Sequence, residues 1–185
     1  YDDKQESILI PVNLANVATV IRNAASMEMN GLELELMYQV SEAWDLMVTY
    51  GYLEAEYKDY LADLTGDGII TDNSGLIPRN TPENTFGVTT SYTTQIGNGE
   101  LKGRVSYRFR DEMNTDSSNN PLGDLDSIEN VNATISYSVE NYSITLWGRN
   151  LTDEREQRWA TIGGLTSRGW WNEPQTLGVT FAASF

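Results

Sequence analysis

Glu33 and Glu35 stand two residues apart in an alternating stretch, which sets their carboxyls roughly 7 Å apart on one strand face, inside the range of an inverting glycosidase pair. That spacing recurs in many strands, and nothing nearby completes a reaction. With no histidine and no cysteine, the chain has no imidazole to activate a serine, no thiol nucleophile, no Cys/His zinc site and no disulfide. The expectation is a protein that is not an enzyme. A second pattern, Asp63-Leu64-Thr65-Gly66-Asp67-Gly68-Ile69-Ile70-Thr71-Asp72-Asn73-Ser74, partly matches a calcium loop. It has acids at positions one and five and glycine at six, but serine at twelve, so Asp63 and Asp67 could hold calcium only if Asp72 moved in.

Two further groups suit binding. Lys102, Arg104, Arg108 and Arg110 put four of the 12 basic residues on one strand face, and with Glu33 and Glu35 they form a charged wall. Such a wall either guides an anionic substrate or closes into a salt-bridge network. The stretch Leu151 to Asn172 carries Arg155, Arg158, Trp159, Arg168, Trp170 and Trp171, and exposed Trp with Arg is the usual composition of a binding hot spot. Trp170 and Trp171 equally suit an aromatic belt. A formal net charge of −15 excludes a nucleic-acid surface, which needs a basic stripe.

The elements that position these residues are strands. Leu32, Leu34, Leu36, Tyr38 and Val40 share one parity, with Glu33, Glu35, Met37 and Gln39 on the other. The same two-faced pattern recurs over residues 44–52, 86–93, 101–110, 131–139, 142–146 and 177–185. With a less regular opening strand near Tyr1 to Ile10, eight are expected. Short connections at Ser41 to Asp45, Gln95 to Gly99 and Glu140-Asn141 alternate with long ones at Pro11 to Ala25, Leu61 to Glu83, Asp111 to Ser127 and Leu151 to Asn172. No stretch makes a transmembrane helix, but strict alternation of short and long loops is the mark of a transmembrane β-barrel with periplasmic turns and external loops.

Tyr38, Trp44, Tyr92, Tyr137, Tyr142 and Phe185 all stand on the apolar parity at the short-turn end of their strands. Rings that are apolar in body and polar at one edge favour the membrane–water interface, so these six read as one girdle. A soluble β-sandwich offers the competing account, with the same parity facing a second sheet.

The motifs resemble the C-terminal barrel of TonB-dependent outer-membrane receptors. Gly148-Arg149-Asn150-Leu151-Thr152-Asp153-Glu154 looks like the family's Asn-Leu-(Thr/Phe)-Asp run at the end of the penultimate strand. Asn172-Glu173-Pro174-Gln175-Thr176-Leu177-Gly178-Val179 is similar to the lead into the last strand, with Gln175 where Arg is usual. Asn23-Ala24-Ala25-Ser26 with Gly31-Leu32-Glu33-Leu34-Glu35, the Ile77–Thr85 run and the terminal Phe185 complete the likeness. The resemblance implies a 22-stranded barrel in the outer membrane of a Gram-negative bacterium. It also implies an N-terminal plug, energy relayed by TonB, barrel assembly directed by Phe185, and uptake of a siderophore, vitamin or oligosaccharide.

Because the chain opens on Tyr1 and carries neither plug nor TonB box, residues 1–185 are expected to be the final strands of such a barrel. The small inward set Gly87, Thr89, Ser91, Thr93, Asn132, Thr134, Ser136 and Ser138 suits a wide lumen better than the packed interior of eight strands closing alone. A self-contained eight-stranded barrel with a structural or adhesion role, and a secreted carbohydrate-binding sandwich, are the alternatives.

Overall fold

A computed structural model of the chain describes residues 2–14, 18–155, 157–163 and 166–185, and describes side chains for 25–155, 157 and 169–185. The strands are β1 (Asp2–Leu14), β2 (Ala18–Ser41), β3 (Trp44–Ala62), β4 (Thr71–Asp72), β5 (Asn84–Ile96), β6 (Gly99–Arg110), β7 (Met113–Asn114), β8 (Asp124–Leu125), β9 (Ile128–Val139), β10 (Tyr142–Arg149), β11 (Gln157–Gly163), β12 (Thr166–Trp171) and β13 (Thr176–Ala183). A 3-10 turn, Pro121–Gly123, is capped by the Asn120 side chain. Among the described residues no helix is long and apolar enough to cross a membrane, which says nothing about strands.

All eight expected strands pair antiparallel in one sheet, in the order β1-β2-β3-β5-β6-β9-β10-β13, with β4 added at β3. The sheet is not closed: β1 and β13 are its two ends, which removes the reading of a self-contained eight-stranded barrel. Nor is there, among the described residues, a second sheet wide enough to cover it. The other two sheets are the two-stranded β7-β8 and β11-β12, so the sandwich is also excluded.

Register assembles the alternating patterns into two continuous faces. Leu36 pairs with Val48, Val48 with Val88, Val88 with Tyr107 and Tyr107 with Val131, so one apolar row crosses five strands. A second row runs Trp44, Tyr92, Gly103, Ile135, Leu146, Val179. The opposite parity gives Met47, Thr89, Ser106, Asn132 on the polar face. A slip of one residue in any strand would put its apolar set on the wrong side.

Among the described residues nothing covers the apolar face. Leu32, Leu34 and Leu36 are 59, 55 and 49% exposed, and among the described residues only six hydrophobics are buried against twenty-six large ones exposed. Water-soluble monomers rarely leave an apolar patch wider than a few hundred Å² open, so this sheet is built for another solvent.

The hairpins at one end are tight, with two residues each between Ser41 and Trp44, Ile96 and Gly99, and Val139 and Tyr142. Gly97 takes φ 61°, which glycine adopts without strain, and Glu140 adopts φ 50° at the matching position. The opposite end is longer than the sequence pattern predicts. The expected loop from Pro11 to Ala25 is strand on both sides, since β1 and β2 stay paired up to Leu14 opposite Ala18. Residues 15–17, at its tip, lie outside the described residues. Likewise Leu151 to Asn172 contains the β11-β12 ribbon, and Asp111 to Ser127 contains β7-β8.

Candidate functional site

The small core sits beyond the apolar face, where β2 and β3 run on. Ala25, Tyr57, Tyr60 and Ala62 are buried together, with Met27, Leu64 and Leu76 against them. The Tyr57 and Tyr60 rings lie 4.6 Å apart, and Tyr60 Oη donates to the Ser117 carbonyl at 3.2 Å. Burial pushes the Tyr60 phenol up to about 12, opposed by that hydrogen bond. This side chain fastens β3 to the 111–127 loop, while Leu64 and Leu76 of the 63–83 loop pack against the same cluster. Asn119 adds a second clasp: its amide accepts from Ile77 N at 2.7 Å and donates to Ile77 O at 2.8 Å, as a strand neighbour would.

The Asn150-Leu151-Thr152-Asp153 run makes a polar knot at the same end. Asn150 is 4% exposed at φ 48°, and Asp153 has φ 52°, left-handed positions that Asn and Asp tolerate better than most residues. The Asn150 amide donates to Glu154 O at 2.9 Å and to Glu173 O at 3.0 Å, while its carbonyl oxygen accepts from Asn130 Nδ2 at 3.2 Å. Asp153 accepts from Gln175 N at 3.0 Å, and Gln175 Nε2 donates to Leu151 O at 3.1 Å. The motif therefore ties β9, β10 and the lead into β13 to one point. Gln175, where the resembled family has Arg, keeps a bond across that point.

The six girdle residues occupy the apolar face near the tight turns. Trp44 stands directly opposite Tyr92 and donates from Nε1 to Thr90 Oγ1 at 2.6 Å. Tyr137 Oη donates to Ile96 O at 3.0 Å, Tyr142 stacks with Phe181 at 6.2 Å, and Tyr38 and Phe185 are exposed.

A second aromatic tier, which the sequence pattern does not single out, lies at the other end of the same face: Tyr50, Tyr52, Phe86, Tyr107 and Phe109. Tyr50 pairs with Phe86 and Phe86 with Phe109, and the Phe86 and Tyr107 rings meet at 6.2 Å. Tyr50 Oη donates to Asn84 Oδ1 at 2.8 Å, so the phenol tip turns toward polar groups. From Trp44 to Tyr52 is about 27 Å along the strand, or about 20 Å after a tilt of ~40°, near the ~25 Å apolar band of outer-membrane barrels. Only the cross-strand register reveals this tier.

Trp170 and Trp171 are exposed on β12, in the separate ribbon rather than on the main sheet. Arg155 and Trp171 line a small cleft with Asp124, Asp126, Glu154 and Gln157. Arg158, Trp159 and Arg168 lie on the ribbon's backbone, their side chains outside the described residues.

On the polar face, Glu33, Gly51, Thr85 and Arg110 form one cross-strand row, and Glu35, Thr49, Gly87 and Arg108 the next. Three strand spacings, roughly 14 Å, separate each Glu from its Arg, with small residues between. Arg110 donates to Asp111 O at 2.8 Å and Asp126 O at 3.1 Å. Lys102 and Arg104 continue the row toward the tight turns, opposite Ser136 and Thr134.

In the 63–74 loop the carboxylates serve their own backbone. Asp63 accepts from Gly66 N and Gly68 N, both at 2.7 Å, with the glycines at φ 77° and 87°. Asp67 accepts from Ile69 N at 2.8 Å, and Asp72 from Ser74 N at 3.0 Å. Desolvation raises the Asp63 carboxyl, but the hydrogen bonds from Gly68, Gly66 and Thr65 outweigh it and hold it below the ordinary range. The Ser74 hydroxyl and amide do the same for Asp72. Among the described residues no three acidic groups converge as metal ligands.

Comparison with solved structures agrees with this geometry. The fold matches the ferric yersiniabactin uptake receptor FyuA from Yersinia pestis at TM-score 0.74, with 16% identity, over 90% of this chain and 25% of that one. It matches the siderophore receptor PiuA from Acinetobacter baumannii at TM-score 0.74 and 20% identity, over 98% and 24%. BauA, the ferric preacinetobactin receptor of Acinetobacter baumannii, matches at 0.67 and 18%, over 100% and 26%. The chain thus spans about a quarter of the length of each. The family model described as TonB dependent receptor-like, beta-barrel, matches residues 1–151, and the chain belongs to that family as an open, all-β portion of its barrel.

Proposed function

We propose that the chain is the closing part of an outer-membrane uptake channel of a Gram-negative bacterium, carrying ferric chelates of the siderophore type. The observation that supports this best is the exposed apolar face bounded by two aromatic tiers on a single open sheet, a surface that hydrocarbon stabilises and water does not. Tyr38, Trp44, Tyr92, Tyr137, Tyr142 and Phe185 sit at the periplasmic interface, and Tyr50, Tyr52, Phe86, Tyr107 and Phe109 at the external one. The polar face lines the lumen. A plug domain and contact with TonB belong to other parts of a longer protein, of which residues 1–185 supply the last barrel strands. The chain carries no catalytic step. Its work is to exclude lipid from the pore, hold the external loops in register and present side chains to a passing solute.

Radio-iron uptake tests the proposal. Cells lacking the gene should lose TonB-dependent accumulation of a ferric chelate and regain it with the full-length gene. Equal accumulation in deletion and parent strains, across hydroxamate, catecholate and carboxylate chelates, contradicts it.

A further inference from the structure

β13 is an end strand of the main sheet, held on one side by β10 from Tyr142 opposite Ala183 to Arg149 opposite Thr176. Parity protects that seam against a one-residue slip, which would turn Leu177, Val179 and Phe181 to the polar face. A slip of two residues returns every side chain to its own face, so parity gives no protection against it.

Trp147 supplies the missing discrimination. On the polar face β13 carries Thr176, Gly178, Thr180 and Ala182, and the glycine pairs with Trp147. The indole lies where a side chain at 178 would be, so that a Cβ there would overlap its ring atoms. Its Nε1 donates to Thr180 Oγ1 at 3.1 Å, and the Arg149 guanidinium braces the ring 5.3 Å from its centroid. A two-residue slip in one direction sets Trp147 opposite Thr180, with Ala182 in the acceptor's place; in the other it sets Trp147 opposite Thr176, with Gly178 there. Either way the ring meets a branched side chain and the indole N–H loses its partner. The device recurs where β6 begins: the Tyr137 ring occupies the space over Gly99, and its hydroxyl donates to Ile96 O at 3.0 Å. A ring laid over a strand glycine pins register because no other residue leaves it room.

We propose that Trp147 is a positioning residue that selects the register of β13, with Gly178 as its seat and Thr180 as its latch. The Asn150 knot fixes where the chain enters the strand, at Glu173 and Gln175, and Trp147 carries that alignment inward. The assignment rests on the uptake reading only in making β13 the closing strand, whose register enters the stagger on which a barrel's diameter depends.

The test reads register by disulfide formation in the full-length receptor, on a cysteine-free background in outer membranes. Ser143→Cys with Ala182→Cys reports the observed pairing, and Ser143→Cys with Ser184→Cys a two-residue slip, since a disulfide joins directly opposed residues but not diagonal ones roughly 8 Å apart. Arg149 and Arg168 lie between the positions, so trypsin leaves linked peptides for mass spectrometry. Moving the seat by Gly178→Thr with Thr180→Gly should raise the ratio of slipped to observed product at least about tenfold, as expected for a ring contact and its hydrogen bond. Trp147→Ala alone should raise the slipped product too, and in its presence the position of the glycine should cease to matter. An unmoved ratio in the relocated-glycine variant, or an equal shift with and without Trp147, would overturn the assignment. Should that variant not assemble, Trp147→Ala decides: slipped product supports the lock, and its absence means the knot alone sets the register. None of these outcomes touches uptake, which the gene-deletion assay reads separately.

Discussion

The two faces of the main sheet share every backbone hydrogen bond yet differ completely in what their side chains do. On the apolar face, Leu34, Leu36, Ile144 and Leu146 pair with neighbours along the rows yet stay about half exposed, and Val48 and Val88 between them are half-buried. On the polar face, Ser136 bonds Thr145 at 2.8 Å, Asn132 bonds Asn130 at 2.8 Å, and Trp147 bonds Thr180. On the proposed reading the fold is specified by two solvents rather than by a core, and a substitution is judged by the parity it falls on before its chemistry is considered.

Placing a charge on each face tests that contrast most severely. Val48→Arg, near the middle of the apolar band, should destabilise the full-length receptor by about 2–4 kcal/mol, whereas Thr89→Arg, on the polar face one strand away, should cost under about 1 kcal/mol. Urea unfolding in phospholipid vesicles measures both, and equal costs would erase the distinction between faces.

Next in size is the knot above the band. Asn150→Ala removes the buried amide that donates to two backbone carbonyls and forces alanine into a left-handed φ, so about 2–3 kcal/mol should be lost. Limited proteolysis should then cut first between Leu151 and Thr176. An unchanged cleavage pattern would mean that the strands alone hold that loop.

A pH scan separates the loop core from the sheet. Tyr60 keeps its proton up to about pH 12 when folded but loses it near 10 when unfolded. Its contribution is complete below pH 10 and disappears as pH rises toward 12, since the unfolded chain then binds fewer protons. Relative to the intrinsic base-catalysed rate, amide protection in 63–83 and 111–127 should fall across that window while the sheet's holds, and Tyr60→Phe should flatten the local dependence.

The smallest effect is expected at the tier nearest the tight turns. Tyr92→Ala should cost about 1 kcal/mol by losing its contact with Trp44 and its interfacial seat, and Tyr92→Trp should restore it.

How much of this was legible in the sequence follows from the same contrast. Wherever the two faces meet different solvents, parity is written into the residues, and all eight strands of the main sheet could be read. Beyond the band both faces meet water, alternation fades, and the stretch Pro11 to Ala25 looked like a loop although β1 and β2 continue through it. The second aromatic tier was hidden for another reason: Tyr50, Phe86 and Phe109 align only through pairing partners tens of residues apart. The Asn-Leu-Thr-Asp run was recognisable as a motif, but its reason, two left-handed residues closing a buried polar knot, needed coordinates. The calcium-like pattern had the right letters at the start, yet its carboxylates are turned to their own backbone amides.

The central claim is that even-numbered positions of β3 between Trp44 and Tyr52 meet hydrocarbon. Single cysteines can be introduced at 45 through 51 on a background whose described barrel portion has none, then spin-labelled in the full-length receptor in vesicles. Accessibility to oxygen should peak at 46, 48 and 50, and accessibility to a water-soluble nickel chelate should be higher at 47, 49 and 51. An inverted alternation, or none, would contradict the account.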